Sequence, residues 1–275
     1  AFSDPDAGDL LTFSALNLPP NLTLNPTTGA ITGTLANDAS LSSPYLVTIR
    51  ATDLSGAFTL QSFTWVVTNV VTSPFDDFNT TTENVTATGN VLANDVDPDN
   101  DPLIVAAVNG VAGNVSASVA GTQGGSFVIH LDGSYTFDPG VSFNDLAEGE
   151  MRSTSIRYTS DDGNGSQVEA RLTVIVVGIN EAPTSTAVAD QSSQDADAVL
   201  LDVSSKFSDP DASDVLSFSA MNLPPGLSID ANTGVISGMI HHSASLGSPY
   251  SVKITATDPF GAKTSQIFAW GVTNP

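Results

Sequence analysis

An all-β chain of tandem β-sandwiches is what the sequence predicts, and three observations carry the expectation. YLVTIRAT (45–52) and YSVKITAT (250–257) alternate apolar and polar residues with period two. No window of roughly 11 or more residues holds a helical 3.6-residue apolar repeat. Asp, Asn, Gly and Pro cluster into turns about every 8–12 residues, the spacing of antiparallel sandwiches. The 275 residues allow two or three domains of ordinary size.

Taken in order, the chain reads as three blocks. Sliding it by 205 lays residues 1–70 on residues 206–275 without a gap, and about 40 of 70 positions are identical. FSDPDAGDLLTF (2–13) becomes FSDPDASDVLSF (207–218), so one module is written twice. The expected boundaries are 1–70, 71–182 and 183–275. Residues 184–205 have no counterpart ahead of Ala1, so the first module is expected to lack its opening strand. Either the chain is a window on a larger repeat protein, or that strand comes from another segment or subunit. In SFTWVVT (62–68), Phe63, Trp65 and Val67 share one strand face, as Phe268, Trp270 and Val272 do in the second copy. Both sets are expected to point into a core. The middle block closes with SIRYTS (155–160) and RLTVIVVG (171–178), again in strand style.

Charge narrows the function. Thirty acidic residues face 7 basic ones, a net −23, yet only 13% of residues are charged and 40% are hydrophobic. A disordered acidic tail is thereby excluded. Nucleic acid and anionic membrane surfaces are poor partners for such a chain. No run of about 18 apolar residues exists, so no membrane insertion is expected in this segment. Cysteine is absent, which leaves core packing and metal to hold the modules.

The acidic residues are concentrated. Asp4, Asp6 and Asp9 crowd one loop, Asp209, Asp211 and Asp214 repeat it, and Asp95, Asp97, Asp99 and Asp101 form a version in the middle block. Carboxylates this close raise each other's pKa, and a hard cation taking six to eight oxygens relieves the repulsion, which favours Ca²⁺. A single such loop reads as a solvated Asx turn. Three of them, each opening a module, point to metal. Asp53 and Asp258 end the same strand in the two copies, and Asp161 with Asp162 ends one in the middle block. The run from Asp95 imitates an EF-hand, but its sixth and twelfth positions are Asn100 and Ala106, where Gly and a bidentate Glu are required.

DPDASDVLSFSA, LSIDANTGVISG and KITATDPFGA together resemble the cadherin pattern, and LPPGL with FSDPD is similar to its bacterial dystroglycan-type relatives. GNVLANDVDPDNDPL, LDGSYTFDP, LAEGE, SDDGNG and LTVIVVGINEAP make the middle block resemble a VCBS repeat. The resemblance implies seven-stranded Greek-key, cadherin or immunoglobulin-like sandwiches in an elongated array, with calcium between successive modules. It implies that Asp209, Asp211 and Asp258 meet linker residues Asn180 and Glu181. Upstream it sets Asp97, Asp99 and Asp161 beside the 72–77 linker, with Asp76 or Asp77 as donor. Asp4, Asp6 and Asp53 form the set of the first module. The linkers depart from the DxNDN pattern of cadherins, and one ion per junction is the resulting expectation.

An enzyme is not expected. His130 stands alone, and the His241–His242 pair aligns with Ala36–Asn37, outside the repeated design. The recurring Trp65, Trp270, Tyr45 and Tyr250 could stack on polysaccharide, the alternative reading. The leading expectation is a calcium-rigidified extender of a secreted bacterial surface adhesin, matrix protein or extracellular filament. Its partners would be neighbouring modules or subunits of the same protein.

Overall fold

The computed structural model describes residues 2–3 and 10–275. Strand makes up 46% and helix 7%, and the helix is confined to short 3-10 turns, so the chain is all-β. Its sheets pack in pairs on shared cores as β-sandwiches.

The middle sandwich is built around a long hairpin, Met151–Asp161 against Gln167–Val177. Asp162 closes its turn by accepting the N–H groups of Asn164 (2.7 Å) and Ser166 (3.1 Å), and Gly163 and Gly165 supply positive φ. Period-two alternation turns Ile156 and Tyr158 inward beside Leu172, Val174 and Val176. Asp77–Thr82 runs parallel to one edge of this hairpin and Ile104–Val108 antiparallel to the other. The second sheet orders Ala87–Asn90, Ser134–Asp138, Ser126–Ile129 and Val119–Ala120, and contributes Phe127, Ile129 and Phe137 to the shared core.

The last sandwich sets Gln191–Gln194, Lys263–Thr273, Tyr250–Thr257 and Ser217–Met221 against Ala198–Asp202, Val235–Met239 and Leu227–Ile229. Phe218, Val252, Ile254, Phe268 and Trp270 from one sheet meet Ile236 from the other. The indole N–H of Trp270 donates to Ser193 Oγ at 3.2 Å.

The first module repeats this plan in part. Thr12–Leu16, Tyr45–Thr52 and Phe58–Trp65 form one sheet, and Leu22–Leu24 with Ile31–Gly33 forms a ribbon. Here the structure corrects one expectation. Trp270 is 1% exposed and Phe268 3%, but Trp65 is only half-buried and Phe63 is 40% exposed. The period-two face is the expected one; in the last module that face is closed by Gln191–Gln194, whose Ser193 meets the Trp270 indole.

Candidate metal centre

The acidic residues gather where successive modules meet. Between the second and third modules, the turn at 209–214 brings Asp209, Asp211 and Asp214 together, each offering an oxygen within 4.8 Å of the others. Asp211 N–H donates to Asp209 Oδ1 (3.2 Å) and Asp214 N–H to the Asp211 carbonyl (3.0 Å), so the turn is wound on its own acids. Asp211 also lies within 4.8 Å of Glu83 and Glu181, both carried by the second module and its linker. Asp211 is therefore common to two groups of three. Asp258 completes the surroundings: its Oδ1 accepts the N–H groups of Phe260 and Ala262 (both 2.9 Å), and its Oδ2 accepts Asn180 Nδ2 at 3.2 Å.

Other bonds hold these side chains while leaving oxygens free. Ile179 N–H donates to Glu83 Oε1 (2.6 Å), Asn84 Nδ2 to Glu181 Oε1 (2.9 Å) and Glu181 N–H to Asp211 Oδ2 (3.1 Å). What remains is a set of buried oxygens with no hydrogen-bond partner: Glu83 Oε2, Asn180 Oδ1, Glu181 Oε2, Asp209 Oδ2, Asp211 Oδ1 and Asp214 Oδ2. Buried acceptors are normally satisfied, and each exception costs about 1–3 kcal/mol. Their concentration at one junction is what an oxygen-seeking cation requires, and the donor set is all oxygen. Burial, reinforced by Glu181 and Asp258, pushes the Asp211 carboxyl up to about 6. Burial also raises Asp209, Asp214 and Glu83 above their ordinary values.

The junction between the first and second modules is built differently. Asp97, Asp99 and Asp101 form a group within 4.8 Å, all from the second module. Asp97 Oδ1 accepts the N–H groups of Asp99 (3.1 Å) and Asp101 (3.2 Å), leaving Asp97 Oδ2 and Asp99 Oδ1 buried without partners. The close approach of the Asp97 carboxylate, burial and the charges of Asp97 and Asp101 raise the Asp99 carboxyl. Linker residue Asn69 donates from Nδ2 to Asp162 Oδ2 (2.7 Å), and Thr72 N–H donates to Ser166 Oγ (3.0 Å). Burial opposes ionisation of Asp162, but the bonds from Asn69, Asn164 and Ser166 outweigh it and hold its carboxyl low.

Several expected residues stand outside these groups. Asp76 Oδ1 accepts the Arg171 N–H at 2.9 Å. Asp95 accepts the Phe75 N–H (2.8 Å) and the buried Tyr158 hydroxyl, which Asp77 also adjoins, and burial pushes Asp77 up to about 6. Asp161 caps its own turn through the Gly163 N–H (2.7 Å). Asp53 accepts the Ser55 hydroxyl and Ala57 N–H (both 2.8 Å), copying the backbone role of Asp258, and the Ser55 bond leads in keeping its carboxyl low. Asp4, Asp6 and Asp9 lie outside the described residues. Sequence reasoning missed Glu83, 1% exposed at the heart of the junction. It also missed the acidic loop carrying LAEGE, whose Glu148 accepts Asn180 N–H (2.8 Å) and whose Glu150 accepts Ser213 Oγ (3.3 Å).

Fold and junctions define a class: tandem β-sandwich modules with acidic ends. Residues 1–68 and 182–273 match the family described as "Putative Ig domain", and residues 69–178 match "Bacterial cadherin-like domain". The chain belongs to the first of these families, with two copies enclosing one bacterial cadherin-like domain. No curated protein matches it. Among solved structures it is similar to mouse cadherin-23 EC22-24, at 15% identity and TM-score 0.45, over 99% of this chain and 89% of that one. It is also similar to protocadherin gamma B2 extracellular cadherin domains 1-5, at 15% identity and TM-score 0.47, over 96% of this chain and 53% of that one. Human desmocollin-1 ectodomain matches at 15% identity and TM-score 0.41, over 99% of this chain and 56% of that one.

Proposed function

We propose that this chain is a calcium-stiffened extender segment, part of an extracellular bacterial adhesin, matrix protein or filament. On this reading the flanking modules are of the dystroglycan-like cadherin type and the middle one is a VCBS repeat. The observation that carries it is the set of buried, partnerless oxygens contributed by two modules and their linker at one junction. Glu83, Asn180, Glu181, Asp209, Asp211 and Asp214 would hold Ca²⁺ there, with Asp258 orienting Asn180. Asp97 and Asp99 would offer a second site, with linker residue Asn69 contributing an Oδ1 that is likewise buried without a partner. The ion supplies charge neutralisation and shared coordination. The chain's own contribution is to place carboxylates on both sides of a short linker, so that the joint is repulsive without the cation and fixed with it.

Catalysis finds no support in the histidines. His130 exchanges a hydrogen bond with Ser116 Oγ, and His241 bonds Ser243 Oγ on an exposed turn. Three of the four recurring aromatics also argue against polysaccharide. Tyr45 and Tyr250 each donate to a backbone carbonyl (Ala39 and Ala244, both 2.7 Å), and Trp270 is core. No helix among the described residues is long and apolar enough to cross a membrane.

Small-angle X-ray scattering tests the proposal, with calcium at about 5 mM, above the ~10⁻⁴–10⁻³ M range of extracellular calcium modules, and then with excess chelator. A maximum dimension that stays long and sharp with calcium and broadens without it supports the extender. Superimposable profiles, with no heat of calcium binding, would remove its basis.

A further inference from the structure

The long hairpin of the middle module buries one face and leaves the other wet, and the wet face carries chemistry that neither the core nor the junctions use. Across the hairpin Arg157 stands opposite Arg171, Ser155 opposite Thr173 and Ser153 opposite Ile175. On the parallel edge strand Phe78 lies beside Thr173 and Thr80 beside Ile175. The residues between, Leu172 and Val174, are fully buried, so these rows point outward. Phe78 is 75% exposed. On a chain of net −23, neither the Phe78 row nor the Thr80 row contains a carboxylate.

One cation on this face is left over. The sequence has four arginines. Arg50 lies over the Phe58 ring at 4.0 Å, Arg152 pairs with Asp145 at 2.7 Å and Arg157 with Glu169 at 3.1 Å. Arg171 has no ion pair among the described residues, although the chain holds 30 acids. Like charges directly opposite on paired strands are destabilising, yet Arg157 faces Arg171 here. The neighbouring Asp76 gives its Oδ1 to the Arg171 backbone N–H. The Arg157–Glu169 pair is about half exposed on both sides, and such pairs contribute little, so Arg157 can turn to a ligand. A cleft of about 220 Å³ opens there, lined by Asp76, Arg157, Glu169, Ala170 and Arg171.

We propose that this face binds a sugar acid, a pyranose ring bearing one carboxylate. Each part of the ligand answers a feature of the face. Two guanidiniums over one cleft take a planar carboxylate through paired N–H donors. One row further, ~7 Å along the strand, the exposed Phe78 ring offers an apolar surface for the flat side of a pyranose. The hydroxyls of Thr173 and Ser155 share that row and can exchange hydrogen bonds with ring hydroxyls. Asp76 and Glu169 line the same cleft and bring its charge to neutral in sum, so it admits one carboxylate and repels a polyanion. This face shares no residue with the recurring aromatics of the flanking modules or with the metal centre, and it can fail without them.

The test titrates sodium glucuronate into the intact, nitrogen-15-labelled chain and follows amide shifts by NMR. Saturating shifts are expected at residues 78, 155, 157, 171 and 173. Arg171→Gln should weaken binding on the order of tenfold, as should glucose in place of glucuronate, because each removes hydrogen bonds between charged groups. Phe78→Ala should weaken it about threefold or more. Arg152→Gln, whose guanidinium is engaged by Asp145, should change nothing at this face. Polygalacturonate should bind more weakly per sugar than the monosaccharide. Four results would overturn the proposal. They are no saturation at roughly ten times a millimolar dissociation constant, acetate or glucose binding as tightly as glucuronate, tighter binding of the polyanion, or shifts at this face on dilution without ligand, which would assign it to a second copy of the chain.

Discussion

Replacing Asp211 by Asn gives opposite effects with and without metal, and the sign separates a cation cage from a merely acidic turn. Without metal, Asp211 is a buried carboxylate facing Glu83, Glu181, Asp209 and Asp214, with burial pushing it up to about 6 from an ordinary 3.8. At ~1.4 kcal/mol per tenfold change in proton affinity, that displacement is a destabilisation on the order of 3 kcal/mol at neutral pH. Asn keeps an oxygen for the Glu181 N–H and turns an amide donor toward the oxygens left without partners, so most of this strain is relieved. For a module of this size, 1 kcal/mol moves a melting midpoint by roughly 4–8 °C, so the chelated variant should melt about 10 °C above the chelated parent. With calcium the order reverses. At about a hundredfold excess over the dissociation constant, the parent gains ~2.7 kcal/mol. The variant loses the one side chain common to both oxygen groups and gains almost nothing. Differential scanning calorimetry of both proteins, with calcium and with chelator, reads all four midpoints. If Asp211→Asn lowers the midpoint equally in both conditions, Asp211 is a structural turn residue and the cage reasoning fails.

The same charges set a pH dependence. In chelator, Asp211 and Asp77 hold protons in the folded state up to about pH 6, but in the unfolded chain only up to about 3.8. The metal-free chain should therefore gain stability as pH falls from 7 towards 5, and equilibrium urea unfolding at pH 7 and 5 would show a higher midpoint at pH 5. Trp270→Ala should cost about 3–5 kcal/mol by chemical denaturation, and Trp65→Ala less than half of that, because only Trp270 is fully enclosed. Gly238→Ala should cost more than ~2 kcal/mol, since its Cβ would sit 2.2 Å from the Gly226 carbonyl oxygen at φ +137°. Gly113→Ala, with nothing within 4 Å, should leave the thermal midpoint almost unmoved.

The strand plan was legible because one face of each sheet is wet, which forces a period-two pattern that the sequence must display. Asp209, Asp211 and Asp214 were legible for a local reason: a turn six residues long gathers its own carboxylates whatever surrounds it. Glu83 was not. It is a single acid after a Thr-rich strand, and only the parallel pairing of Asp77–Thr82 with Gln167–Val177 brings it beside the linker. Asp95 and Asp77 stand outside the grouped carboxylates for the complementary reason. Asp95 stands two residues ahead of DPDND and Asp77 ends the linker before it, but the fold turns the Asp95 carboxylate to the buried Tyr158 hydroxyl and sets Asp77 beside that hydroxyl. Trp65 shows a further limit. Periodicity reports which way a side chain points, but what closes that face comes from far along the chain: in the last module Ser193, 77 residues before Trp270, meets its indole.

The two junctions differ in where their charge comes from, and that difference has a mechanical meaning under the proposed function. Between the second and third modules, carboxylates approach from both sides: Glu83 and Glu181 from one, Asp209, Asp211 and Asp214 from the other. Opening the joint relieves repulsion and rehydrates buried oxygens, so without a cation the electrostatics favour the open state. Between the first and second modules, among the described residues, the three grouped carboxylates belong to one side, and the linker answers with Asn69 and Thr72, which donate to Asp162 and Ser166 while Asn69 Oδ1 stays buried without a partner. Separating those modules breaks favourable hydrogen bonds and relieves little repulsion. A cation arriving there would neutralise a loop within one module, whereas at the downstream joint it would tie two modules together. Under the proposed function a cation therefore ties carboxylates of two modules at the junction built on Asp211, while the bonds of Asn69 and Thr72 hold the upstream linker whether or not a chelator is present.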